Sequence, residues 1–192
     1  MILIIDIGYQ QIYRLTESID FLDDFKVVPV YDLKEDEVKT INPDGIIISH
    51  GSISVNDSNT DRYIEKLKLL KESNIPILGI GAGHHLLGIL FNALPSYFPY
   101  TNDAILIGII DETEPLFDKL PLEFEVIIDQ GSAISVPPGF QLLASSDSSI
   151  NEAMKHASLP YYGVQFLPER SGNFGAILLE NFVNISLERT PG

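Results

Sequence analysis

Apolar residues along this chain fall into two rhythms that alternate. Short runs without polar interruption, "MILIID" (1–6), "KVVPVY" (26–31), "DGIIISHG" (44–51) and "IPILGI" (75–80), read as strands buried on both faces. Between them, "YQQIYRLTESIDFL" (9–22) places Ile12, Leu15, Ile19 and Leu22 at helical spacing. "DRYIEKLKLLKESN" (61–74) is the clearest amphipathic helix, stopped by Asn74 and Pro76, and "HHLLGILFNAL" (84–94) follows the fourth strand. Pro29 marks the second strand as an edge strand or an irregular one. This order predicts parallel strands with helices on both faces.

Past residue 100 the rhythm changes. "AILIGIID" (104–111), "EFEVIID" (123–129) and "FQLLASS" (140–146) are strands separated by Pro- and Gly-containing turns, which predicts an antiparallel extension of the same sheet. "NEAMKHASLPYYGVQFLPE" (151–169) holds two more strands, and "NFGAILLENFVNIS" (173–186) reads as a closing helix. With no linker, repeat or low-complexity segment, residues 1–192 are expected to form one α/β domain of flavodoxin-like, open, mostly parallel type.

Composition narrows the function classes. A net charge of −15 argues against nucleic acid or an anionic membrane as a partner, because phosphate binding needs a basic face. The acids are spread along the chain, as on a solvated surface, and would also suit a basic partner surface. The 192 residues include no cysteine, which excludes disulfides, a thiolate nucleophile and cysteine metal ligands. The apolar N-terminus is too short for a signal peptide and Asp6 interrupts it; the cytoplasm is the expected location.

Candidate chemistry gathers at three polar, glycine-rich strand ends: "SHGS" (49–52), "GIGAGHH" (79–85) and "QFLPE" (165–169). "PILGIGAGHHLL" (76–87) has the form of a nucleophile elbow, a strand and sharp turn followed by a helix, with Gly81 where the reactive side chain belongs. A site on this plan would take oxyanion-hole amides from residue 82 and the 50–52 turn.

These segments resemble the class I glutamine amidotransferases, most closely the free-standing glutaminase subunit of archaeal-type GMP synthase. The resemblance rests on "PILGIGAGHH" (76–85) and "YGVQFLPE" (162–169), with further matches in "ILIIDIGYQQIYRL" (2–15), "PPGFQLLASSD" (137–147) and "NEAMKH" (151–156). It implies that fold, a synthetase partner of the ATP-pyrophosphatase type, and no cofactor. It also implies a Cys–His–Glu triad, of which this chain keeps only Glu169. Gly81 stands at the nucleophile position and Leu167 at the general-base position. His85 replaces the family's glutamine, His50-Gly51-Ser52 replaces its Gly-Gly-Pro turn, and "DQGSAIS" (129–135) has lost a histidine.

A glycine cannot form the thioester that this route needs, and Leu167 cannot shuttle a proton. The expectation is a catalytically inactive amidotransferase-like protein, regulatory or structural in role, with self-association as the alternative to a synthetase partner. Its remaining pocket would be lined by Gly51, Ser52, Ala82 and His85, and glutamine binding without turnover stays open. The alternative is an enzyme rebuilt around His50, His85 or the serines Ser52, Ser54 and Ser132. The spacing supplies no base for those serines and no metal motif such as His-x3-His, so no metal is expected. At the helix start His84 reads as a packing or capping residue. Asp6 is expected to bond the amides of the next turn, and Glu169 is solvated, paired with Arg170, or holding a reshaped pocket.

Overall fold

A computed structural model describes residues 1–52, 58–71 and 73–188. The four apolar runs form β1 (Ile2–Asp6), β2 (Phe25–Pro29), β3 (Gly45–Ile48) and β4 (Ile77–Ile80). Later strands are β5 (Pro95–Ile109), β6 (Glu123–Ile134), β7 (Phe140–Ser145), β8 (Ala153–His156) and β9 (Tyr161–Val164). The helices are α1 (Ile12–Asp20), α2 (Glu35–Ile41), α3 (Ser58–Leu67), α4 (Ala82–Leu90) and α5 (Gly172–Leu187).

All nine strands share one sheet in the order β2-β1-β3-β4-β9-β8-β7-β5-β6. The first five are mutually parallel, and β8, β7, β5 and β6 add on antiparallel. This is the expected mostly parallel α/β sheet with an antiparallel extension. Pro29 ends the edge strand β2, where a missing N–H costs no ladder bond.

Successive residues of a strand face opposite sides, so β1 feeds two cores. Ile2 and Ile4 pack with Leu15 and Ile19 of α1 and Leu178 and Phe182 of α5. Leu3 and Ile5 pack with Val38 of α2, Leu67 of α3 and Leu87 of α4.

Three elements depart from the sequence reading. The helix α2 was not anticipated: "EDEVKTI" buries only Val38, too thin a stripe to register as periodicity. The helix expected over 61–74 ends at Leu67 and continues as a 3-10 turn over Lys68–Leu70. β5 starts at Pro95 rather than at residue 104, because its exposed first half is held by cross-strand pairing to β6.

Two features aim these elements at one place. β1 pairs with β2 on one side and β3 on the other, so the chain reverses its winding direction there, and the carboxyl ends of β1, β3 and β4 open into a crevice. At the far edge β6 curls back. The Leu167 N–H donates to the Ile127 carbonyl at 2.8 Å, and the Ile127 N–H donates to Ser171 Oγ at 2.9 Å. This closure carries Asp129, Gln130 and Ser132 over the crevice.

Helix α4 lies close against β3 because residue 83 has no side chain. A Cβ at Gly83 would overlap the Ile48 carbonyl oxygen and stand 2.7 Å from that of Ser49. Neither backbone atom can move without lifting the helix. Gly83→Ala is therefore expected to lower the unfolding free energy by roughly 2 kcal/mol or more in urea titration; an unchanged midpoint would contradict this packing.

Candidate functional site

The turn from β4 into α4 is the expected elbow. Gly81 precedes the first helical residue, Ala82, with φ 55° and ψ −112°. A residue with a Cβ is strained there, by about 1–3 kcal/mol, and glycine is not. The elbow's backbone shape persists without the side chain that normally justifies its strain.

The space where that side chain would project is filled. A Cβ built on Gly81 would overlap Nδ1 of His50, stand 3.1 Å from His50 Cγ and 3.0 Å from Leu167 Cδ2. The Ala82 N–H donates to His50 Nδ1 at 3.1 Å. The amide expected to serve an oxyanion is thus capped by an imidazole from the end of β3. Because Nδ1 accepts, the ring is neutral and carries its proton on Nε2. Burial pushes the His50 pKa down to about 4, with Asp129 opposing and Arg170 reinforcing the shift. Tyr9 holds the ring edge-on, with centroids 5.1 Å apart.

Gly51 is buried, and a Cβ there would lie 2.8 Å from the Ile7 carbonyl oxygen; Ser52 is exposed. His85 lines the cavity and its Nε2 meets Gln165 Oε1 at 3.4 Å. Burial lowers its pKa to about 4. His84, fully buried, packs on β9, where a Cβ at Gly163 would stand 2.5 Å from its Nδ1. Its pKa is well below the ordinary value, through burial and then the neighbouring His85. Asp6 accepts from the Gly8 and Tyr9 amides at 2.9 and 3.0 Å, as anticipated.

Two expectations need correction. Glu169 neither reaches solvent nor pairs with Arg170. Its carboxylate oxygens are buried, burial raises its pKa, and Tyr9 and Arg170 only partly offset that. Arg170 instead bonds Asp129 at 2.8 Å and Asn102 at 2.9 Å. The oxyanion hole is also not open, since His50 takes the 82 amide.

The rebuilt-enzyme reading required a serine beside an imidazole. Among the described residues no serine hydroxyl hydrogen-bonds to a histidine ring: Ser49 bonds the His50 carbonyl, and Ser132 sits buried on β6. Ser54 lies outside the described residues. No group of three His, Asp or Glu among those described is placed to hold a metal ion.

Above the elbow a cavity of about 430 Å³ remains, walled by Tyr9, Gln10, His50, Ala82, His85 and the β5 and β6 residues Tyr97, Tyr100 and Gln130. Gly81, Leu167 and Glu169 lie beneath it rather than in its lining. Gln130, Tyr97 and Tyr100 were missed in the sequence. Their only signal was the altered "DQGSAIS" segment and a Tyr-rich stretch before it.

Likeness to known proteins decides the family. The model of glutamine amidotransferase class-I matches residues 3–185. The chain belongs to the class I glutamine amidotransferase family. It is 37% identical over 189 residues to a glutamine-hydrolyzing GMP synthase subunit of Pyrococcus furiosus, covering 96% of this chain and 98% of that one. It is also 37% identical over 190 residues to the glutamine-hydrolyzing GMP synthase of Bacillus subtilis, of which it spans 36%. A crystal structure of a putative GMP synthase subunit from Thermoplasma acidophilum superposes with a TM-score of 0.83 at 28% identity, covering 97% of this chain and 93% of that one. Within its family, the chain is thus of the free-standing GMP synthase subunit type.

The buried imidazoles predict an acid limb in stability. Between the ordinary value of 6.5 and about 4, the unfolded chain binds protons that folded His50 and His85 refuse. Their contribution is complete above pH 6.5 and is lost as the pH falls through that window. Glu152, raised to about 7 by burial, acts with the opposite sign from 4.5 upward, so the His50 share must be isolated by substitution. His50→Asn should flatten the fall in urea-measured stability between pH 6.5 and 4; an unchanged slope would mean that the ring is not held neutral.

Proposed function

We propose that this chain is a catalytically inactive member of the amidotransferase family, one domain over residues 1–192. It works in the cytoplasm as a regulatory or structural partner of a GMP-synthase-type synthetase. The observation that carries this reading is the His50 ring, which occupies the nucleophile's space and caps the amide at residue 82. Removing a nucleophile alone would leave a hole and an unpaired amide, each costing about 1–3 kcal/mol. In this chain both are compensated, as expected of a protein whose fold remains useful after its chemistry has gone. The synthetase as partner class rests on the relatives named as GMP synthase subunits.

Without thiolate, imidazole base or open oxyanion hole, little of a triad's acceleration over water would survive. The purified chain should release no ammonia from glutamine, alone or with an ATP-pyrophosphatase-type synthetase. Clear turnover in either assay would sink the proposal.

The same geometry ranks the revertants. Gly81→Cys with Leu167→His leaves the new thiol against the His50 ring, and should gain little. Adding His50→Gly vacates that space and frees the Ala82 amide. The triple variant should exceed the double by about 100-fold or more in glutaminase rate, the usual worth of one oxyanion donor. Equal rates would show that His50 does not obstruct the site.

A further inference from the structure

The buried polar side chain that most needs a partner at this site is Gln130 of β6, which no catalytic role claims. It is 7% exposed, it lines the cavity, and neither Oε1 nor Nε2 has a hydrogen-bond partner among the described residues. Buried amide groups are almost always satisfied, and leaving both halves bare is costly. A ligand in the adjoining 430 Å³ would satisfy them, in a space within the usual range of about 300–1,000 Å³ for small-molecule sites.

The wall chemistry narrows what that ligand is. A carboxamide offers one acceptor and one N–H donor side by side, so the group that pairs with both offers the complementary donor and acceptor, the cis-amide edge of a lactam. Tyr97 and Tyr100 stand at the same cavity, 50% and 68% exposed, and offer ring surface to a planar molecule. Among the described residues the lining holds no lysine or arginine. Its carboxylate, Asp129, is already paired with Arg170 at 2.8 Å and accepts from the Tyr100 hydroxyl. His50, neutral, is committed to the Ala82 amide, so a phosphate or the free carboxylate of an amino acid meets no counter-charge.

We propose that this cavity binds a small, neutral, planar heterocycle with a lactam edge, of the pyrimidinone or purinone class, paired to the Gln130 carboxamide and stacked on Tyr97 and Tyr100. The inference rests on the non-catalytic reading above and gives the remaining pocket an occupant.

Calorimetric titration of the full chain with uracil and with hypoxanthine tests it, beside 1,3-dimethyluracil, L-glutamine and inorganic phosphate. At least one of the two lactams should bind, and dimethyluracil, which keeps the ring but loses its N–H donors, should bind at least about tenfold more weakly. Gln130→Leu should weaken the lactam by a similar factor while leaving Tm unchanged or raised, because an apolar side chain has nothing to satisfy. Tyr100→Ala should weaken it as well. The dimethyluracil comparison on the unaltered chain decides the matter even if a variant fails to fold. Silence of both lactams at millimolar concentration, equal binding of dimethyluracil, or preference for glutamine or phosphate would overturn the inference. Absent binding together with absent glutaminase activity sinks this inference alone, whereas glutamine turnover sinks the proposed function.

Discussion

The hydrogen bond from the Ala82 amide to His50 Nδ1 is the interaction around which the rest of the site is arranged. It joins the ends of β3 and β4 at the crevice where a parallel sheet binds its ligands. It requires a neutral ring, which burial enforces, and a residue at 81 without a Cβ, which glycine supplies. It also requires an apolar neighbour at 167, since a second polar ring there would be buried against the first. His50, Gly81 and Leu167 are one solution in three positions. None of the three can revert alone without a clash, an empty space or an unpaired group.

This interlock separates the fold from its former chemistry. The elbow keeps its positive φ, α4 still packs on β3 through Gly83, and β6 still curls over the crevice through the Leu167 and Ile127 backbone. The cavity above therefore persists, with its floor sealed and its polar character shifted to β6. A scaffold preserved this way suits a role in which shape, partner contact and ligand occupancy matter and bond-making does not.

Much of the fold was legible because burial on both faces writes itself as unbroken apolar runs, as in "MILIID" and "PILGI". The losses at Gly81 and Leu167 were legible for the same reason that the family was: long motifs in fixed order. What stayed hidden depended on distance or on weak pattern. α2 shows three acids and a single buried valine, and the first half of β5 is polar and Pro-rich, held only by its pairing to β6. The direction of the His50 ring, 32 residues from the amide it caps, is a tertiary fact that no local spacing encodes. Glu169 was misjudged because its solvation depends on Tyr9 and on the Asp129 that claims Arg170.

Nitrogen-15 NMR of the imidazole rings tests the central claim most directly. The account predicts that His50 carries its proton on Nε2, that Nδ1 couples to the Ala82 amide, and that the ring titrates near 4. A proton on Nδ1, or a midpoint near the ordinary 6.5, would mean that the ring does not cap the amide and that the oxyanion position is open.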